Sequence, residues 1–266
     1  MPANRLSASE RREIDAICAQ WLLRANCTDP IDETQCRSAA AKAYALEGLT
    51  TPEIVFCRSP IEAMSKLQSH SPDANSRVAR TVPDLQKVLE DGRSFAGVWD
   101  VMVAAQPKVW PTLGREVALS FHSEVFEALG AIPWGSATWP PVKRRVESKV
   151  LDLCHIAHTV NDSLEKIVQT EPDAWLLYTQ GAGSLWAEAY EYAALEAALA
   201  LGHVRTPPAA LAAGRELLAS CGWIYSFERL CLVCDRPASI HQQKNRREVQ
   251  THMTWRDGVK CDRVFS

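Results

Sequence analysis

The chain has 266 residues, 47% apolar and 23% charged, a composition that buries a sizeable core and excludes a disordered tail, a collagen-like fibre and a disulfide-stapled mini-protein. Its 29 basic and 32 acidic side chains leave a formal net charge of -3. No global field therefore draws it to nucleic acid or to an anionic membrane.

The first segment reads as a capped helix, because Ser7 and Glu10 form a capping box ahead of Ile14, Ile17, Cys18, Trp21 and Leu22 at helical spacing. The charged residues Arg5, Glu10, Arg11, Arg12, Glu13, Asp15 and Arg24 interrupt any stretch that a signal peptidase could read, so a cytoplasmic location is expected. A second helix follows from Asp32 and Gln35, with Cys36, Ala39, Ala40, Ala43 and Leu46 on one face and Gly48 closing it. Ile54 to Cys57 is a short strand between Pro52 and Ser59-Pro60, and Glu62 completes the box of a third helix.

Residues 71–82 are polar and unpatterned and read as a linker. From about 83 to 220 the text is helical, broken near 106–111, 131–141, 171–172 and 206–208. Val142, Val146, Val150, Leu153, Ile156, Val160, Leu164 and Ile167 draw one apolar stripe along a single long helix. On its other side fall Asp152, His155, His158 and Asp162, a group that faces solvent by its angle about the axis. After Cys221-Gly222, the runs 228–234 and 248–255 are strand-like, and Asp257-Gly258 is a hairpin turn.

Nine cysteines, an odd number spread through regular text, read as free thiols in a reducing compartment. Cys231 and Cys234 form a C-x-x-C that Cys221, His241 and His252 could complete as a zinc site. Leu232-Val233, however, continues a strand, whose alternation sends the two thiols to opposite faces. No metal and no cofactor are expected. Trp134 and Trp139 lie in a proline-rich loop beside Lys143, Arg144, Arg145 and Lys149, and residues 235–266 carry seven basic against four acidic side chains. The phosphate-loop, dinucleotide, zinc-protease and nucleophile-elbow signatures are absent from the sequence. Gly181-Ala182-Gly183 follows helical text and so lacks a phosphate loop's strand.

Two stretches, Ala43 to Met64 (AYALEGLTTPEIVFCRSPIEAM) and Cys221 to His241 (CGWIYSFERLCLVCDRPASIH), with the shorter Trp255 to Gly258 (WRDG), carry a resemblance. They look like the bacterial family called domain of unknown function 6745, found alone or beside leucine-rich repeats. The chain departs from that pattern after His241, where the family runs into a turn rich in asparagine and glycine. The resemblance implies an architecture rather than a reaction, and it draws attention to Arg236, His241, Trp255 and Asp257.

The expected fold is α+β, mainly α-helical, with a small antiparallel sheet built from the C-terminal segment and the short N-terminal strand. Its parts are an N-terminal helix-helix-strand-helix unit (1–70), a helical region (83–220) and a C-terminal hairpin region (221–266), packed as one domain. The first functional expectation is a non-enzymatic protein-interaction module with a protein partner and no membrane role, a homodimer being an alternative. The runner-up is a hydrolase or transferase at the C-terminal sheet. There His241 or His252 would act as acid–base, Asp235 or Asp257 would orient it, and Arg236 and Trp255 would hold the substrate. Nucleic-acid binding through the basic tail and Trp255 ranks below both.

Overall fold

A helix forms where its first free N–H groups find acceptors, and the N-terminal unit supplies them from side chains. Ser7 Oγ accepts from Glu10 N at 3.2 Å while Glu10 Oε2 accepts from Ser7 N at 2.6 Å, opening α1 (Ala8–Ala25). Asp32 Oδ1 accepts from Thr34 N and Gln35 N at 2.8 and 3.1 Å, opening α2 (Glu33–Leu46). Gly48, at φ +68, carries the chain out of α2. β1 (Glu53–Cys57) and α3 (Pro60–His70) follow, and Ser59 Oγ accepts from Glu62 N at 3.1 Å at the start of α3.

The computed structural model describes residues 6–70, 111–114, 117, 121–132, 139–150, 153–170, 182–208, 211–244 and 248–265. The expected linker at 71–82, the helical text at 83–110, Trp134 and Asp152 lie outside them. Among the described residues the helical region contributes α4 (Phe121–Gly130), α5 (Trp139–Val150), α6 (Leu153–Thr170), α7 (Leu185–Ala200) and α8 (Leu211–Ser220). The stripe read from the sequence is buried from Val142 through Val146, Val150, Leu153, Ile156 and Val160 to Leu164. Residues 151–152, where α5 would run on into α6, are not described.

The fold class is the expected mainly helical α+β, but the strands form two sheets rather than one. The first has the order β1-β4-β3-β2 and adds β2 (Ala182–Ser184), β3 (Trp223–Ser226) and β4 (Leu230–Cys234) to β1. β1 does pair with the C-terminal segment, but in parallel, with Glu53 opposite Leu230 and Cys57 opposite Cys234. A parallel pair needs a long crossover, and here the chain between Cys57 and Leu230 supplies it. All five residues of β4 are buried, since a central strand covered on both faces needs no polar alternation. The tripeptide 182–184, read as a continuation of helical text, is instead a strand antiparallel to β3.

The second sheet has the order β5-β6-β7, from β5 (Ser239–Lys244), β6 (Val249–Thr254) and β7 (Lys260–Phe265). Thr251, Met253 and Cys261 turn inward and are buried. Its inner side lies on α6, where the Arg263 guanidinium pairs with Asp162. The polar side of α6 is thus partly covered by a strand a hundred residues downstream, which a helical wheel does not show. His158 remains exposed and His155 is half-buried.

One hydrophobic cluster joins all the segments, running from Ile14 and Trp21 through Tyr44, Val146, Trp186 and Leu217 to Val233 and Trp255. Polar atoms inside it are bonded across long sequence distances. Trp186 Nε1 donates to the Ala25 carbonyl at 2.8 Å, and the Tyr44 hydroxyl donates to the Phe227 carbonyl at 2.8 Å. Tyr44→Phe deletes that donor in a fully buried setting, and a loss of about 1–3 kcal/mol is expected. Urea unfolding followed by tryptophan fluorescence measures it, and an unchanged midpoint would show that the bond contributes nothing net.

Candidate functional site

The C-x-x-C lies in the middle of the first sheet. Cys231 and Cys234 are both fully buried, and strand alternation directs them to opposite faces of β4. Cys234 has Cys57 as its register partner on β1, and the Cys234 thiol donates to Cys57, holding the Cys57 thiol below its ordinary value. Burial pushes Cys231 up to about 12 and Cys18 to about 11. Cys36 Sγ donates to the Ser220 carbonyl at 2.9 Å, and Cys221 Sγ to the Leu217 carbonyl at 3.1 Å. Among the described residues no group of three His, Cys, Asp or Glu side chains is arranged to hold a metal.

These thiols carry a pH consequence. A group whose folded value is raised keeps its proton in the folded chain after the unfolded chain has released it. The contribution of the raised thiols is therefore fully present below the unfolded thiol value of about 8.5 and falls as pH rises above it, while Cys57, held low, contributes in the opposite sense. The buried Tyr44 and Tyr225, also raised by burial, add to the loss above about pH 10. The urea midpoint is expected to drop between about pH 8 and pH 10.5. In peptide mapping at neutral pH, Cys27, which is only half-buried, is expected to alkylate ahead of Cys231 and Cys234.

Asp235 and Arg236 leave β4 into a crowded junction. Asp235 N donates to the Cys57 carbonyl at 2.8 Å. Its carboxylate accepts from Ile31 N at 2.9 Å and Arg236 N at 2.8 Å through Oδ1, and from Arg256 Nη1 at 2.9 Å through Oδ2. Trp255, 2% exposed, donates its indole N–H to the Asp235 carbonyl at 3.2 Å. Arg256 reaches on to the carbonyls of Arg236, at 2.9 Å, and Thr28. The Arg236 guanidinium binds the Ala219 carbonyl and lies 3.8 Å from Cys27 Sγ.

Gly222 completes the junction: its N–H donates to the Cys234 carbonyl at 3.0 Å, and a Cβ there would stand 2.6 Å from the Asp235 carbonyl. Asp257 Oδ1 accepts from Val259 N at 3.1 Å and shapes the β6–β7 turn, with Gly258 at φ +86. Asp235, Arg236 and Trp255 thus sit together, engaged by backbone or by Arg256, while Asp257 is bonded within its own turn. Arg256 itself was not singled out from the sequence, although it lies inside the WRDG segment. Its partner Asp235 is 21 positions away, so no local spacing marks the pair.

The two candidate histidines lie elsewhere, on the outer face of the second sheet. His241 on β5 stands opposite His252 on β6, which stands opposite Asp262 on β7. His252 Nδ1 is 2.8 Å from Asp262 Oδ1, with side-chain exposures of 48% and 59%. A carboxylate only accepts, so Nδ1 carries the proton and Nε2 of a neutral ring is left as a base. The carboxylate beside His252 is therefore Asp262 rather than Asp235 or Asp257, and the pair lies on an open face.

The basic run on α5 is partly neutralised, because Asp15 of α1 pairs with Arg145 and lies 4.0 Å from Lys149. Trp139 is half-buried at 5.8 Å from the His203 ring. It also lines a cleft of about 480 Å³ with Leu129, Ile132, Tyr190 and Ala194. No helix among the described residues is long and apolar enough to cross a membrane. No protein-family model, curated protein or solved structure matches the chain.

Proposed function

We propose that the protein is a non-enzymatic interaction module that binds an acidic, extended segment of a partner protein along the outer edge of β5. The observation that carries this reading is the edge itself. Among the described residues β5 has a strand neighbour on one side only, and residues 241–244 are exposed. A strand with one described neighbour can take an incoming strand on its other side. Residues 235–266 hold seven basic and four acidic side chains, which favours an acidic partner. The bonds that occupy Asp235, Arg236 and Trp255 fit a supporting duty for the C-terminal motif.

A photoreactive residue placed at Gln243 tests the reading in cells. It is expected to give a discrete heavier adduct whose crosslinked peptide is acidic, while the same residue at the exposed Arg12 of α1 gives none. No adduct at 243, equal adducts at both positions, or a crosslink to a basic segment overturns the reading.

The His252–Asp262 contact favours one second reading, a hydrolase or transferase with His252 as base. It predicts turnover of activated esters that falls in both His252→Ala and Asp262→Asn. Turnover unaffected by either substitution removes that alternative.

A further inference from the structure

A second cleft, of about 580 Å³, lies between the end of α1 and α8 and has no part in the reading above. Its size is ordinary for a small-molecule site, about 300–1,000 Å³. Pro207, Pro208, Leu211 and Ala212 form apolar walls, and Arg24 and Arg215 line it. The first turn of α8 enters the wall at Leu211 and Ala212, adding the positive end of the helix dipole.

The charges in this cleft do not cancel. Glu216, at its edge, is held by Lys42 at 2.7 and 2.8 Å through both carboxylate oxygens. Arg215 stands 3.4 Å from Glu196, whose side chain is 13% exposed. Arg24 lies over the Trp21 ring at 5.1 Å, and its Nη1 is buried with no hydrogen-bond acceptor among the described residues. Burial and the neighbouring Arg215 charge both weaken the hold of Arg24 on its proton. Among the described residues, two guanidiniums against one carboxylate leave one positive charge without a counter-charge, beside an apolar wall.

We infer that this cleft binds a small monocarboxylate with an apolar body, its carboxylate between Arg24 and Arg215 and its body against Pro207, Pro208 and Leu211. A guanidinium fork matches a carboxylate in two parallel hydrogen bonds. A single unmatched charge selects a monoanion over a dianion, and the apolar wall selects against a bare ion.

Octanoate is the probe, with 1-octanol and inorganic phosphate as controls, titrated calorimetrically into the full chain. Octanoate is expected to bind at about 1 mM or tighter and to raise the melting temperature, and octanol to bind about tenfold more weakly or worse. Arg24→Gln and Arg215→Gln should each weaken octanoate about tenfold. Because Arg24 also packs on Trp21, Leu211→Trp serves as an independent variant that fills the wall and leaves both arginines in place. It should abolish octanoate binding without lowering the melting temperature of the free protein.

Any one of four results overturns the inference. They are no octanoate binding, octanol binding as tightly as octanoate, phosphate binding as tightly as octanoate, or octanoate binding unaffected by all three substitutions.

Discussion

Asp235→Ala is expected to cost about 2–4 kcal/mol of stability, because it strips the acceptor from two backbone N–H groups, at about 1–3 kcal/mol each where they are buried, and breaks a part-exposed ion pair worth about 1 kcal/mol or less. The Asp235 side chain is 14% exposed and accepts from Ile31 N, Arg236 N and Arg256 Nη1. Deleting it leaves two amide N–H groups without an acceptor and a guanidinium without its counter-charge. Asp235→Asn keeps the shape and one oxygen, so it should lose less, with the difference falling on the Arg256 contact. Chemical denaturation of the three proteins separates these contributions. If Asp235→Ala shifted the midpoint no more than a surface substitution, about 0.5 kcal/mol, the junction would not be holding the α1–α2 loop to the C-terminal strands.

Trp255→Ala is the second large expected loss, about 3–5 kcal/mol, because truncating a buried indole removes its transfer energy and leaves a cavity. Trp255 joins the hairpin to the core and ties its N–H to the Asp235 carbonyl. Trp255→Phe refills most of the volume and drops only the hydrogen bond, so it should cost about 1–3 kcal/mol. The double variant Asp235→Ala with Trp255→Ala should fall short of the sum of the two single losses, since both side chains secure the same turn. Additive losses would mean that the two act independently. Neither Asp235 nor Trp255 lines the Arg24 cleft or belongs to β5. Octanoate binding and crosslinking at 243 therefore remain measurable in the milder Phe and Asn variants.

Features governed by neighbouring residues were legible in the chain. The Ser7–Glu10 box, the Asp32 cap, the Gly48 exit and the Asp257-Gly258 turn all appear where the text places them. Each depends on dihedral freedom or on a hydrogen bond across two to four residues. The Val142-to-Leu164 stripe was legible for the same reason, since helical period alone decides which side is apolar. β5 was not. Its sequence Ser-Ile-His-Gln-Gln-Lys has one apolar residue, and it is a strand because β6 offers it a ladder from Ser239 to Lys244.

The candidate site divides along the same line. The polarity and chemistry of Asp235, Arg236, His241, His252, Trp255 and Asp257 were plain from the letters, but their grouping was not. The text suggested that a histidine would meet Asp235 or Asp257. The fold instead gives Asp235 to Arg256 and His252 to Asp262, because register across β6 and β7 decides which side chains face one another. The parallel pairing of β1 with β4 also came from elsewhere, from the path the chain takes through the helices between them. The cleft of Arg24 and Arg215 joins residues almost two hundred positions apart. The sequence by itself determined the caps, turns, helix faces and mainly helical class, which are short-range. Only the tertiary structure decided strand direction, charge partners and clefts, since these depend on which distant segments burial brings together.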